Sequence, residues 1–237
     1  MKKWKETELN KLPVENGFRL RGFRMTRLET LTDAAFAFSI TMMVISVGTI
    51  PGNLDELIAA LKTAPALLLA FSMIFLFWSN HRSWSRNYGL ENVLSQLITF
   101  GLIFVFLIYV YPLRLLASLC MYLLSNGYFP SEFIVHHLDE VPNLFVIYGI
   151  GFTLISSLFS LLFYQGWINS EALSLNKQEI VDTRIGITAW AICSITGLIA
   201  SMFAAITPSY IGVFGGFIYS TLPITIYFST KRINKYS

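Results

Sequence analysis

The longest stretch of this chain without Asp, Glu, Lys or Arg runs from Ile185 to Thr230, and it constrains the fold more than any other feature. A helix that spans a bilayer needs about 20 predominantly apolar residues. The stretch is long enough for two such helices. The segment Thr207-Pro208-Ser209-Tyr210 near its centre contains proline and small polar residues, which favour a reversal of the chain. The sequence therefore predicts two membrane spans that meet near Pro208.

Four earlier windows without charge predict four more spans. They are Ala34–Leu54, Thr63–Asn80, Asn92–Leu113 and a segment within Val141–Ser170. The apolar run Leu115–Leu124 is too short to cross a bilayer, so we interpret it as a continuation of the third helix that ends at Ser125-Asn126-Gly127.

Composition agrees with a membrane protein, because only 13% of the residues are charged against about 25% in soluble proteins. The predicted fold class is an all-α integral membrane protein with six transmembrane helices. Its predicted parts are a basic arm (residues 1–26), a transmembrane domain (27–230) and a tail (231–237).

The Lys and Arg residues are divided unequally between the two sides of the predicted bundle. Of the 17 in the chain, all but Lys62 and Arg114 fall on the side that carries both termini. The positive-inside rule then predicts that both termini are cytoplasmic. We expect the basic arm to attract anionic lipid headgroups. Nucleic acid is not an expected partner, since no basic stripe runs through a soluble segment.

The sequence shows no catalytic or metal-binding pattern. It lacks a Walker loop, an H-E-x-x-H motif and a G-x-S-x-G motif. Cys120 and Cys193 both lie in apolar runs and are interpreted as small core residues. Adjacent histidines, such as His136-His137, point apart on a helix or strand, so this pair is interpreted as part of a polar loop. We expect no enzymatic activity, no metal site and no cofactor.

Two polar clusters lie near the predicted cytoplasmic ends of the first two spans. Ionisable groups are costly in hydrocarbon, so these side chains are expected to have partners. The first interpretation is a polar network that fixes helix packing, and its candidate members are Arg27, Thr32, Asp33, Trp78, Asn80 and His81. The second is a proton relay through His81 and Asp33, because the histidine pKa of about 6.5 allows sensitivity to physiological pH.

One stripe of the first span carries mostly bulky apolar residues. Steps of three and four residues place the following side chains on it: Leu31, Phe38, Thr41, Met42, Ile45 and Thr49. Such a stripe is ordinary for a helix that packs on another helix or faces lipid. In the last span, Gly212 and Gly216 form a G-x-x-x-G pattern, which predicts a close approach between helices.

Several segments resemble motifs of the endosomal/lysosomal potassium channel family, the transmembrane-protein-175 type without a pore loop. They are Arg27-x-x-x-Leu31-Thr32-Asp33 with the following run Ala34–Thr41, Phe77-Trp78-x-x-His81-Arg82, and Tyr111-Pro112-Leu113-Arg114. The similarity covers roughly Arg24–Leu116. Leu31-Thr32 replaces an aromatic–serine pair of the family, and Phe38 stands where the family has a bulky aliphatic residue at its narrowest point.

The resemblance implies a function and an assembly. Prokaryotic members are homotetramers, so the first spans would line a central pore in a prokaryotic cell membrane. Phe38, Met42 and Ile45 would form an apolar constriction, and Thr41 would supply a hydroxyl associated with preference for K⁺. The expected function is a weakly selective, potassium-preferring monovalent cation channel. The residues alone leave three alternatives open: a proton leak channel, a secondary transporter and a non-conducting assembly protein.

Overall fold

Most of the chain is helical in the computed structural model, which describes Trp4 and residues 6–45, 50–137 and 140–235. The helices are α1 (Glu6–Leu9), α2 (Arg27–Ile45), α3 (Leu54–Lys62), α4 (Ala64–Tyr88), α5 (Val93–Leu124), α6 (Glu140–Ile168), α7 (Ser170–Leu173), α8 (Lys177–Ile206), α9 (Ser209–Gly212), a 3₁₀ helix over Val213–Thr221, and α10 (Leu222–Lys235). Two short strands, β1 (Val14–Glu15) and β2 (Phe18–Arg19), form an antiparallel hairpin before α2. Asn16 and Gly17 between them have positive φ angles of 51° and 83°, as a two-residue hairpin turn requires.

Six helical segments of the described chain are long and apolar enough to cross a membrane. They are Arg27–Ile45, Leu54–Tyr88, Val93–Leu124, Glu140–Ile168, Lys177–Ile206 and Ser209–Lys235. The predicted number of spans is therefore confirmed. So is the reversal near Pro208, because α8 ends at Ile206 and α9 begins at Ser209. The third helix also continues through Pro112 to Leu124, as predicted.

The predicted bounds of the first two spans were wrong. Helix α2 begins at Arg27, not at Ala34, and Leu54 belongs to α3. The second span continues beyond Asn80 to Tyr88. Windows without charge mark the hydrocarbon thickness, whereas helices extend into the interface, where charged side chains find water or partners. Thr49, the last residue of the predicted stripe, lies outside the described residues.

The predicted arm is folded against the bundle through a buried ion pair. Arg21 Nη2 lies 2.8 Å from Glu179 Oε2 in α8, and both side chains are 0% exposed. Arg21 Nε also donates to the Leu173 carbonyl over 2.8 Å. Glu179 completes a capping box with Asn176 at the start of α8. The predicted tail is also ordered in part, since α10 continues to Lys235.

The core lies where α4, α5, α6 and α8 meet. The most extensive helix contact is between α6 and α8. Phe159 of α6 stacks on Trp190 of α8 with ring centroids 4.4 Å apart, and on Phe77 of α4 at 6.0 Å. The close approach predicted for the G-x-x-x-G pattern occurs within the subunit at Gly216, where an added Cβ would lie 2.9 Å from the Phe145 ring. Helix α2 packs on α5 and α4 at the edge of this core.

Candidate functional site

Helix α2 begins at a side-chain cap. The Glu29 N–H donates to Thr26 Oγ1 over 3.1 Å, which satisfies one of the backbone donors at the helix start. Thr26 and Glu29 also have the Thr-x-x-Glu spacing of a capping box. The cap fixes the residue at which α2 starts.

The two faces of α2 have different surroundings. The buried residues are Glu29, Thr32, Phe36, Ser39 and Met43, at alternating steps of three and four. Phe36 packs on Phe106 of α5 with ring centroids 4.6 Å apart. The opposite edge is exposed: Phe38 retains 55% and Ile45 69% of its accessible surface. Thr41 is exposed as well, and Met42 is partly buried.

The hydroxyls of α2 donate to carbonyls one turn earlier in the same helix. Thr32 donates to Leu28 over 2.8 Å, and Thr41 donates to Ala37 over 3.0 Å. A hydroxyl that donates its proton to the helix keeps its oxygen lone pairs free to accept a hydrogen bond or to face a cation. Because Thr41 is on the exposed edge, its oxygen is available there, whereas Thr32 is buried.

Asp33 is joined to Trp78, as the predicted network requires. The Trp78 indole N–H donates to Asp33 Oδ1 over 2.7 Å and links α2 to α4. The Arg82 guanidinium lies over the Trp78 ring, 5.4 Å from its centroid, where a cation is attracted to the aromatic face. Asp33 and Trp78 also border an apolar cavity of about 380 Å³ between α2 and α4.

The other predicted network residues bond elsewhere. His81 is buried, and its Nε2 lies 3.4 Å from Thr99 Oγ1 of α5. Asn80 donates to the Leu76 carbonyl of its own helix over 2.8 Å. Arg27 is exposed and lines a groove between α2 and α5 that Glu91 also lines. The six residues therefore do not form one connected hydrogen-bond network within the described part of the chain.

Arg114 holds the opposite end of α2, a contact that sequence reasoning missed. Its Nη1 donates to the Met43 carbonyl over 2.7 Å, and its Nη2 lies 2.6 Å from Glu132 Oε1. The sequence predicts Arg114 at the end of the third charge-free window, on the side away from both termini, and predicts no partner for it. The predicted continuation of α5 beyond Pro112 was the available signal, since it places Arg114 inside a helix.

No group of three His, Cys, Asp or Glu side chains that could hold a metal ion occurs within residues 6–45, 50–137 and 140–235. His136 and His137 are exposed, and the His136 N–H donates to Glu140 Oε2 over 2.9 Å.

Comparisons with known proteins show which family this chain resembles. The family model of the endosomal/lysosomal potassium channel TMEM175 matches residues 27–112. A potassium channel of Marivirga tractuosa is 32% identical over 221 residues, which cover 89% of each chain. The chain belongs to the TMEM175 family. This assignment confirms the resemblance found in the sequence.

A solved TMEM175 structure has the same architecture. A variant of the potassium channel MtTMEM175, crystallised with a nanobody–MBP fusion protein, superposes with a TM-score of 0.82 at 28% identity. The match covers 95% of this chain and 100% of that one. It confirms the all-α fold, and membership of a channel family confirms that the protein is not an enzyme. The TMEM175 match begins at Arg27, where α2 begins, and continues into α5.

Proposed function

We propose that this protein is a potassium-preferring, weakly selective monovalent cation channel whose pore is lined by α2. One observation carries the proposal: the Phe38 edge of α2 is exposed, although the opposite face of the helix is packed on α5 and α4. This edge lies in the segment that the TMEM175 model matches. The potassium-channel relative, which aligns over most of the chain, supports the choice of ion.

The proposed pore forms when copies of the chain assemble. In a homotetramer, the α2 helices surround a central axis, and each contributes Phe38, Met42 and Ile45 to an apolar constriction. The exposed fractions of Phe38 and Ile45 in one subunit supply the surface that such an assembly needs. Permeant K⁺ is the only ligand that the proposal requires.

The constriction acts by excluding water. A narrow ring of hydrocarbon side chains dewets, so a hydrated ion meets a barrier until the helices move apart. The Thr41 oxygen, whose proton is donated to Ala37, can face a partly dehydrated cation near the constriction. A few hydroxyl oxygens replace little of a hydration shell, so the preference for K⁺ is weaker than that of a carbonyl-lined filter.

The proposed location is a prokaryotic cell membrane with both termini in the cytoplasm. The distribution of Lys and Arg supports this orientation, and the bacterial relative supports the type of organism. The basic side chains near the N-terminus would then meet the anionic leaflet, which attracts such segments.

The test of the function is the bi-ionic reversal potential of the purified protein in a planar bilayer, with K⁺ on one side and Na⁺ on the other. We expect a cation current whose reversal potential has the sign that indicates a higher permeability to K⁺ than to Na⁺. A reversal potential that follows the pH gradient would instead support a proton leak. Absence of current from protein that is folded and inserted would support an assembly protein.

The contribution of Phe38 is tested by the Phe38→Ala variant. Removing the ring from the constriction is expected to raise single-channel conductance, because a wider ring dewets less readily. The matched control is Phe228→Ala, which removes an exposed ring from α10, far along the chain from α2. Equal conductance of the two variants would exclude Phe38 from the pore.

A further inference from the structure

We propose that Arg114 is a positioning residue that ties the outer end of α2 to the loop after α5 (residues 125–137), so that a change at Glu132 changes the position of the constriction edge. The proposal deepens the function proposed above and rests on it for the meaning of that edge. Its structural part concerns contacts between α2, α5 and the loop, which exist whether or not the protein conducts.

Arg114 is the first part of the connection. Only 6% of its surface is exposed, and a guanidinium removed from water requires charged or carbonyl partners. Its acceptors among the described residues include the Met43 carbonyl, on Nη1, and the Glu132 carboxylate, on Nη2. The fork of the guanidinium lets one side chain serve two acceptors at once.

The Met43 carbonyl is the second part. It lies in the last turn of α2 that the structure describes, and a carbonyl oxygen is an acceptor to which a guanidinium N–H can donate. Met43 is the neighbour of Met42 and is two residues from Ile45, so it shares a turn with the proposed constriction. A second contact, the Phe36–Phe106 ring pair, holds α2 on α5 about two turns earlier.

Glu132 is the third part, and it is itself held on α5. Its backbone N–H donates to Ser118 Oγ over 3.2 Å, and the Ser118 hydroxyl donates to the Leu115 carbonyl over 2.8 Å. The loop therefore presents the Glu132 carboxylate to Arg114 from a fixed position. A displacement of the loop moves that carboxylate, and the shared guanidinium transmits the change to the Met43 carbonyl.

The experiment places a nitroxide spin label on Ile45, through an Ile45→Cys variant in a background where Cys120 and Cys193 are replaced by Ala. Side-chain mobility is read from the line shape in lipid nanodiscs. We expect Arg114→Gln and Glu132→Gln each to cause loss of the immobilised component of the spectrum. A label on Leu31, at the other end of the same exposed edge, is expected to keep its line shape.

Two further variants separate positioning from charge. Glu140→Gln removes a carboxylate near the same loop without touching Arg114, and it is expected to leave the Ile45 label unchanged. Arg114→Lys keeps the charge but replaces the fork by one ammonium centre. We expect it to keep the ion pair with Glu132 and to lose the hydrogen bond to the Met43 carbonyl, so the immobilised component is lost here too. A role for charge alone predicts instead that Lys restores the parent spectrum.

The outcomes distinguish this proposal from the proposed function. If Arg114→Gln is folded by size exclusion and thermal melting, and its Ile45 label is as immobilised as in the parent, the connection is refuted. Restoration by Lys, or equal effects of Glu132→Gln and Glu140→Gln, would also refute it. Absence of K⁺ current from the parent protein would refute the proposed channel function. The spectra would still show whether Arg114 connects Met43 to Glu132.

Discussion

Replacing Arg21 by Met is the perturbation whose effect on stability the structure defines most closely. The side chains of Arg21 and Glu179 are both fully buried and lie 2.8 Å apart. The substitution would leave the Glu179 carboxylate without its cation. Breaking a buried ion pair in this way costs about 3–5 kcal/mol.

The expected shift in melting temperature follows from that free energy. For a chain of this size, 1 kcal/mol corresponds to about 2–4 °C, so Arg21→Met should lower Tm by roughly 6–20 °C. The assay is thermal unfolding in detergent, followed by tryptophan fluorescence. The control is Arg24→Met, an exposed arginine of the same arm, which should change stability by less than about 0.5 kcal/mol.

A double variant, Arg21→Met with Glu179→Met, tests whether the loss comes from the unpaired charge. It removes both charges, so the penalty of the isolated carboxylate disappears. The backbone N–H groups of Arg19 and Asn176 lose their acceptor in this variant, at about 1 kcal/mol each. Its Tm should lie between that of Arg21→Met and that of the parent. If Arg21→Met and Arg24→Met have the same Tm, the buried ion pair does not stabilise the fold as we expect.

Three more substitutions have defined outcomes. Trp78→Phe removes the donor to Asp33 and should reduce the free energy of unfolding by about 1–3 kcal/mol in the same melting assay. Gly22→Ala would drive a Cβ into the carbonyl of Ser85 and should lower Tm, because backbone on the second span cannot give way easily. Thr41→Val keeps the shape of the side chain but removes its oxygen, and should reduce the K⁺ preference measured by reversal potential.

Each of these substitutions has a matched control. Trp167→Phe changes an exposed indole, Gly52→Ala places a Cβ beside the flexible end of Glu56, and Thr188→Val removes a hydroxyl bonded to its own helix in α8. The controls should show little change in Tm or in reversal potential. A test variant that behaves as its control does would contradict the contact, the steric conflict or the selectivity role assigned to it.

The number of spans could be predicted because charge is costly in hydrocarbon. Glu91, Glu132 and Glu171 lie between the spans, and charged residues of this kind separate the apolar runs regardless of tertiary structure. The bounds could not be predicted in the same way. Asp33 lies inside α2 with its carboxylate bonded to Trp78, so a rule that ends each span at a charge starts this helix too late.

The link between Asp33 and Trp78 was within reach of the sequence, because both lie near the same end of adjacent spans. The partners of Arg21 and Arg114 were not. Glu179 is 158 residues from Arg21 along the chain, and the Met43 carbonyl has no sequence signature. Long-range pairs of this kind depend on how the helices pack, which local periodicity does not specify.

The most direct test of the account is an electron cryo-microscopy map of the full chain in lipid nanodiscs. We predict that copies of α2 meet around a central axis, with the Phe38, Met42 and Ile45 side chains of each copy facing a water-filled path. A map in which the Phe38 ring contacts lipid, or in which α2 lies at the periphery of the assembly, would contradict it.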